Sequence, residues 1–118
     1  MEPKDIAELA ASAAADKQAN DIVIIHIGDI FVITDYFVIC SGQTNRQVQT
    51  IANNVEERLR EHKVKKLRLE SDKQGNWILI DFGAVVVHIL TQEQRDYYQL
   101  ERLWSDAPHR KWEVVKGT

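Results

Sequence analysis

An aspartate, a histidine and a tryptophan interrupt an otherwise aliphatic stretch of the chain, and these three residue types could do chemistry. The stretch is WILIDFGAVVVHIL, residues 77–90, and the three residues are Trp77, Asp81 and His88. A carboxylate and an imidazole could form an acid–base dyad, although a dyad alone specifies no reaction. A tryptophan in an uncovered apolar strip would instead suit a binding hot spot. The stretch therefore raises two alternatives, catalysis and the docking of another molecule.

A second group with chemical potential lies just before a predicted helix. Ser41, Gly42 and Thr44 precede or open a T-x-x-Q spacing that is typical of a capping box. Backbone N–H groups at a helix start can bind phosphate, so a nucleotide-binding or nucleotidyltransferase-like enzyme is our alternative function. The loop has neither the Walker nor the dinucleotide-binding pattern. Metal-dependent nucleotidyl transfer also needs paired acidic residues on a strand, whereas the next ones, Glu56 and Glu57, fall in a predicted helix.

Metal and thiol chemistry have little support in the sequence. His26, Asp29, Asp35 and His88 could be considered as ligands, but no pair of them has a recognised metal spacing. Cys40 is the only cysteine and lies within the apolar segment YFVIC, so we interpret it as a small buried hydrophobe rather than a reactive thiol. We expect no catalytic residues, no metal and no cofactor.

Composition and charge narrow the class of protein. The chain has 118 residues, of which 44% are hydrophobic, and its net charge is -3. These values predict one globular domain. Its core is expected over about residues 4–107, since Pro108 should end the last helix, with a C-terminal tail over residues 108–118. The acidic balance excludes a bulk basic footprint for nucleic acid, although the segment HKVKKLRLE is locally basic. Without a long apolar run or a basic leader, we expect a cytoplasmic protein with no membrane contact.

Hydrophobic periodicity indicates the elements that position these residues. Period-two and period-3.6 patterns predict the order α-β-β-α-β-β-β-α. Helices are predicted over residues 3–19, from 44 to about 59, and from 91 to about 107, and strands over residues 21–27, 35–42, 64–70, 77–82 and 85–90. The strand at 64–70 is polar and should lie near a sheet edge. The fold class is α/β, a single mixed five-stranded sheet packed by helices.

The two faces of the predicted hairpin differ in character. A two-residue loop at Gly83-Ala84 pairs Trp77 with Leu90 and places alternate side chains on opposite faces. One face is entirely apolar and should be core, and the other carries Trp77, Leu79, Asp81, Val86, His88 and Leu90. An unpaired buried carboxylate is costly, so Asp81 should be partly wet or paired. The second face is therefore either a partner platform or is covered by the last helix or the tail, and the pattern leaves both open.

The last predicted helix also divides into two sides. Its apolar side is formed by Tyr97, Leu100, Leu103 and Trp104. Of these, Tyr97, Leu100 and Trp104 are expected in the core. Arg95 and Tyr98 lie off that stripe. They either extend the platform or belong to a solvated helix face.

Three sequence blocks resemble the ribosomal silencing factor family, also called RsfS or Iojap. They are TDYFVICSGQTNRQVQTIA (34–52), WILIDFGAVVVHIL (77–90) and RDYYQLERLWSDA (95–107), and the resemblance spans about residues 6–107. It implies a non-enzymatic protein of nucleotidyltransferase-like topology. It further implies a translation repressor that binds large-subunit ribosomal protein number fourteen and sterically blocks association of the small and large subunits. Because family members form homodimers, self-association is a further expectation.

The resemblance and the hairpin faces together predict a binding surface. Its predicted partner-binding residues are Trp77, Leu79, Asp81, His88, Leu90, Arg95 and Tyr98. An acidic protein suits a basic ribosomal protein better than rRNA, so we expect little direct contact with nucleic acid. The chain departs from the family pattern at Ser71, where glycine is usual, and at Ala84, where an acidic residue is usual. The second change removes a charge from the hairpin loop.

Overall fold

Strands and helices form close to the positions that the periodicities predict. The computed structural model of the chain describes residues 1–28 and 34–112. Its elements are α1 (Pro3–Asp16), β1 (Asn20–His26), β2 (Tyr36–Gly42), α2 (Asn45–Glu61), β3 (Arg68–Ser71), β4 (Trp77–Asp81), β5 (Val85–Thr91), α3 (Gln92–Tyr98), α4 (Leu100–Leu103) and β6 (His109–Lys111). The strands form one sheet in the order β3-β4-β5-β2-β1-β6. Strands β2 and β5 run parallel, and the other neighbours are antiparallel. The mixed α/β fold class is confirmed.

The sheet has six strands in the described part of the chain, rather than the five that the sequence predicts. The additional strand, β6, pairs antiparallel with β1 and lies at the edge opposite β3. All three of its residues are exposed, so the segment His109–Lys111 has no apolar alternation to reveal it. The polar strand β3 lies at the other edge, as predicted. Residue Asp29 and the last six positions, 113–118, lie outside the described residues.

Helices α1 and α2 cover one face of the sheet and form the main core with it. The hairpin side chains predicted to face this core are all buried there: Ile78, Ile80, Phe82, Val85, Val87 and Ile89. Helix α2 contributes an apolar stripe at spacings of three and four: Val48, Ile51, Ala52, Val55 and Leu59. Helix α1 contributes mainly buried alanines, whose small side chains let the helix lie close to its neighbours. Cys40 is fully buried in this core, as predicted.

The C-terminal helix predicted as one continuous element is broken. Gln99 separates α3 from α4 and adopts a left-handed conformation with φ of 48°. Its N–H bonds to the carbonyl of Arg95, which ends α3. The side chains of Tyr97 and Leu103 lie in solvent, with exposed fractions of 80% and 71%, so the prediction that Tyr97 is core is wrong. Leu100 and Trp104 do pack inward.

A second, smaller cluster lies on the other face of the sheet. Its buried members are Val23, Ile25, Ile27, Ile39, Leu90 and Ala107. Phe37, Trp77, Leu100 and Trp104 pack against it, so the segment 99–107 covers the part of this face formed by β1 and β2. Within the described ranges, no helix combines the length and apolarity that crossing a bilayer requires.

Candidate partner-binding surface

The β4–β5 hairpin has the predicted register. Phe82 donates its N–H to the carbonyl of Val85 at 2.9 Å, which closes the two-residue loop. Trp77 pairs with Leu90, Leu79 with His88, and Asp81 with Val86. Gly83 has φ of +91°, a conformation that residues with a Cβ rarely adopt, so glycine is required in this loop. The register places all the predicted hairpin site residues on the face opposite α1 and α2.

This face is divided between a covered and an uncovered part. Trp77, Leu79, Asp81 and Val86 are half-buried, and together with Tyr98, which is 50% exposed, they form what we call the open patch. His88 and Leu90 lie on the same face but are 7% and 0% exposed. The sequence left two alternatives for this face, a partner platform or coverage by the C-terminal segment, and each holds for only one part of it. The C-terminal segment covers the Leu90 end, and the described chain leaves the β4 end accessible.

A row of aromatic rings connects the covered part to the open patch. The ring of Phe37 lies edge-on to His88 at 4.9 Å between centroids and to Trp104 at 5.5 Å. The Trp77 ring lies 6.0 Å from His88 and 5.1 Å from Tyr98. The Trp77 indole is therefore held between a buried ring and an exposed one. Such packing fixes its orientation before any partner arrives.

His88 is a neutral, buried support for this row. The indole Nε1–H of Trp77 donates to Nδ1 of His88 at 3.3 Å. Because Nδ1 accepts, the ring proton lies on Nε2, which has no hydrogen-bond partner among the described residues. Burial lowers the pKa of His88 to about 4, since the charged ring would be desolvated. The exposure expected of a contact residue is wrong for His88, which lies beneath the patch instead.

Asp81 is both paired and partly wet, as the cost of burying a carboxylate requires. Its Oδ1 accepts from the Gly83 N–H at 2.8 Å, and its Oδ2 lies 3.5 Å from Nε of Arg68. The Asp81 side chain is 22% exposed and that of Arg68 is 60% exposed. Asp81 makes no hydrogen bond with His88, whose Nδ1 is already used by Trp77. The arrangement is therefore not an acid–base dyad.

A shallow cleft adjoins the open patch at the β3 edge. It has a volume of about 320 Å³ and is lined by Glu70, Ser71, Asp72, Trp77 and Leu79. Two of these lining residues are acidic and two are apolar. Ser71, one of the two departures from the family pattern, lies here. The cleft suits a side chain with an aliphatic stem and a cationic end.

Arg95 does not extend the surface, in contrast to the prediction. Its side chain is 6% exposed. Nε donates to Oε1 of Glu101 at 3.0 Å, and Nη1 donates to the Asn20 carbonyl at 3.2 Å and to Oγ of Ser41 at 3.3 Å. The prediction assumed one long helix, whereas the structure breaks this segment into α3 and α4. Helix α3 has only seven residues, and the side of α3 that carries Arg95 faces the start of β1 and the end of β2 rather than solvent.

Leu90 also needs correction as a contact residue. Its side chain is fully buried in the second cluster, under the C-terminal segment. Like His88 and Arg95, Leu90 therefore supports the surface from within. Of the seven predicted partner-binding residues, the structure brings Trp77, Leu79, Asp81 and Tyr98 together at the surface.

Phe37 is a member of the aromatic row that sequence reasoning missed. It pairs with Val86 across the parallel β2–β5 ladder and so shares the face of His88. The alternation along YFVIC contained this signal, because Phe37 and Ile39 are two apart and must share a face. What the sequence lacked was the β2–β5 pairing, which joins strands far apart in the chain.

The loop considered as a phosphate cradle is occupied by the chain itself. The Gln43 N–H donates to Oε1 of Gln47 at 2.7 Å, and the Gln47 N–H donates to Oγ1 of Thr44 at 3.1 Å. A Cβ on Gly42 would come within 3.2 Å of the Gln47 side chain, so that space is filled. The hydroxyl of Ser41 lies 2.9 Å from Oε1 of Gln92. The contacts of Gln43 and Thr44 with Gln47 cap α2, and the Ser41 hydroxyl is engaged by α3, so the loop does not leave an open ring of donors for phosphate.

The remaining described residues considered for thiol or metal chemistry are either buried or form no metal-binding set. Burial raises the pKa of the Cys40 thiol to about 12, an effect that Arg95 partly opposes, so the thiol stays protonated. Across residues 1–28 and 34–112, no three His, Cys, Asp or Glu side chains come together as a set that could hold a metal ion.

Known proteins similar to this chain share one description. A family model described as ribosomal silencing factor during starvation matches residues 1–117. The ribosomal silencing factor RsfS of Halalkalibacterium halodurans is 41% identical over 115 residues, covering 98% of each chain. A mouse protein named mitochondrial assembly of ribosomal large subunit protein 1 is 29% identical over 101 residues, which are 83% of this chain and 44% of that protein.

A solved structure has the same fold as this chain. The crystal structure of a Chromobacterium violaceum protein superposes with a TM-score of 0.86 at 33% identity, over 99% of this chain and 95% of that one. The similarity thus extends over sequence and fold and spans nearly the whole chain. Family names of this kind describe a regulatory factor associated with the ribosome. The chain belongs to the ribosomal silencing factor (RsfS) family.

Proposed function

We propose that this protein represses translation by docking its open patch on large-subunit ribosomal protein number fourteen. In that position it sterically blocks association of the small subunit with the large one. The observation that carries the proposal is Trp77, a half-buried indole within a contiguous apolar surface that the described chain leaves uncovered. Uncovered apolar patches of this kind mark partner sites, and tryptophan is enriched at their energetic centres.

The patch is preorganised, which favours tight binding. Trp77 is held by its hydrogen bond to His88 and by the ring of Tyr98. A partner therefore does not have to order the largest side chain of the surface, and the entropic cost of association is smaller. A hot-spot tryptophan contributes about 2 kcal/mol or more, roughly thirtyfold in affinity.

Charge favours a basic protein as the occupant. The chain carries a net charge of -3. Glu70 and Asp72 line the cleft beside Trp77, so lysine or arginine side chains of a partner would meet carboxylates there. The name of the mouse relative refers to the large ribosomal subunit, which supports a partner on that subunit.

Sedimentation with purified subunits tests the proposal. The protein is expected to travel with large subunits and not with small ones, and to reduce the fraction of joined particles when both are mixed. Trp77→Ala should lose both effects. The matched control is Tyr36→Ala, which removes a half-buried aromatic residue from the opposite sheet face and should retain both effects. Equal cosedimentation of Trp77→Ala and the unsubstituted protein contradicts the proposed surface.

A direct binding measurement tests the identity of the partner. Isolated ribosomal protein number fourteen should bind the protein in calorimetry and compete with large subunits for it. Absence of binding to the isolated protein, with binding to large subunits retained, would assign another component of that subunit. The same sedimentation run on the protein alone tests the self-association expected for the family.

A further inference from the structure

The buried guanidinium of Arg95 connects the segment that carries Tyr98 to the sheet. Its Nη1 donates to the Asn20 carbonyl at the start of β1 and to the Ser41 hydroxyl near the end of β2, at 3.2 and 3.3 Å. Its Nε donates to Glu101 of α4 at 3.0 Å. A single side chain of α3 therefore contacts three other elements. Two of these contacts are more than 50 residues away in sequence, with separations of 75 and 54.

These contacts span the helix break. The carbonyl of Arg95 accepts from the N–H of Gln99, the left-handed residue between α3 and α4, at 2.9 Å. The side chain of Arg95 then reaches Glu101 beyond the break. Helices of seven and four residues have little stability of their own, so their direction depends on such tertiary contacts.

Tyr98 lies in the chain between Arg95 and its ion-pair partner Glu101. It is the last residue of α3, one turn after Arg95 and directly before the break. Its ring lies 5.1 Å from that of Trp77 and is 50% exposed, so the contact between the two rings is made at the surface. An exposed ring contact is weak by itself and persists only where the backbone holds it in place.

We propose that Arg95 is a positioning residue for the open patch. By clamping the α3–α4 break to β1 and β2, it holds the Tyr98 ring against Trp77 and completes the partner surface without touching the partner. The binding consequence rests on the proposed function. The guanidinium suits this role because it is planar and offers several donors in a fixed geometry, which a lysine cannot reproduce.

A double-mutant cycle tests the proposal. The variants are Arg95→Lys, Tyr98→Ala and their combination, and the measurement is affinity for purified large subunits. Each single variant should weaken binding by about tenfold, as loss of one ordered aromatic contact does. In the Tyr98→Ala background, Arg95→Lys should cause no further loss, because residues that act through one contact are not additive. Additive losses would overturn the proposal.

A measurement on the free protein separates this proposal from the proposed function. Nuclear Overhauser contacts between the Tyr98 ring and the Trp77 indole should be present in the unsubstituted protein and lost in Arg95→Lys. The chemical shifts of core residues such as Ile80 should be retained. Persistence of the ring contacts in Arg95→Lys would overturn the positioning role, whatever the binding result. Unchanged binding by Tyr98→Ala would instead remove Tyr98 from the partner surface.

Two further variants distinguish loss of the Arg95 contacts from a general loss of folding. Glu101→Ala removes only the α4 end of the clamp and leaves the contacts of Arg95 with Asn20 and Ser41. It should weaken the ring contacts and the binding in the same direction, and the absence of both effects would contradict the clamp. Glu93→Ala is the matched control, since it removes an exposed acidic residue of α3 that makes no ion pair within the described residues. It should change neither quantity.

Discussion

The Trp77 indole Nε1–H donates to the Nδ1 of His88 at 3.3 Å, diagonally across the β4–β5 hairpin. The bond joins Trp77, the tryptophan of the open patch, to a buried imidazole on the same face of the sheet. It requires the imidazole to be neutral, because a protonated ring has no acceptor at Nδ1. The orientation of the docking tryptophan and the protonation of His88 are therefore linked.

Stability should fall as the pH falls below the ordinary histidine range. Burial lowers the pKa of His88 from its ordinary value of 6.5 to about 4. The unfolded chain therefore binds this proton first, and the stabilisation, present above pH 6.5, is lost as the pH falls towards 4. The loss is at most roughly 3 kcal/mol. Urea unfolding from pH 4 to pH 8 measures it.

Two histidine variants serve as controls for this pH dependence. His88→Phe removes the titrating group and should flatten the curve between pH 4 and 6.5. His62→Gln changes an exposed histidine at the end of α2 and should leave the slope intact. An equally steep slope in His88→Phe would assign the effect to other groups.

Substitutions at two adjacent residues of β4 should affect the free energy of unfolding and the affinity for large subunits differently. Ile80 is fully buried in the main core, and Leu79 is half-buried in the open patch. Ile80→Ala leaves a cavity and should lower the free energy of unfolding by about 2 to 5 kcal/mol. Leu79→Ala should cost much less stability and weaken binding to large subunits. Chemical denaturation and sedimentation of both variants check this, and equal stability losses would place Leu79 in the core.

Replacing Trp77 should affect the melting temperature moderately as well as the affinity. If the indole contacted only solvent and a partner, Trp77→Ala would leave the melting temperature nearly unchanged. The structure adds that the indole packs against the second cluster and bonds to His88. We therefore expect a loss of about 1 to 2 kcal/mol, which corresponds to a melting temperature lower by roughly 4 to 10 °C. Calorimetry measures it, and complete unfolding would make Trp77 a core residue.

The cap of α2 provides a prediction remote from the binding surface. Oγ1 of Thr44 accepts from the N–H of Gln47 at 3.1 Å. Thr44→Ala leaves this donor without its cap and should destabilise the protein by about 1 kcal/mol. Thr50→Ala, at an exposed position within the same helix, is the control and should cost less. Urea unfolding distinguishes them, and binding to large subunits should be unchanged in both.

Local patterns of the sequence determined the hairpin and its two faces. Alternation along residues 77–90 places Ile80 and Leu79 on opposite sides, and Gly83 supplies the conformation that the loop needs. Pairing within a hairpin follows from contiguous residues, so it can be derived without knowing the rest of the fold. The same holds for α2, where spacing and Thr44 define the stripe and the start.

Only the tertiary structure decided how much of the second face stays open. That extent depends on the break at Gln99 and on the packing of Trp104 against Phe37. It depends also on the contact of Arg95 with Asn20, 75 residues away in the chain. Short helices follow their tertiary partners rather than their own propensity, and no periodicity of a single segment reports a distant contact. The sequence therefore shows that Trp77 lies on this face, and long-range packing among residues 1–28 and 34–112 leaves it accessible.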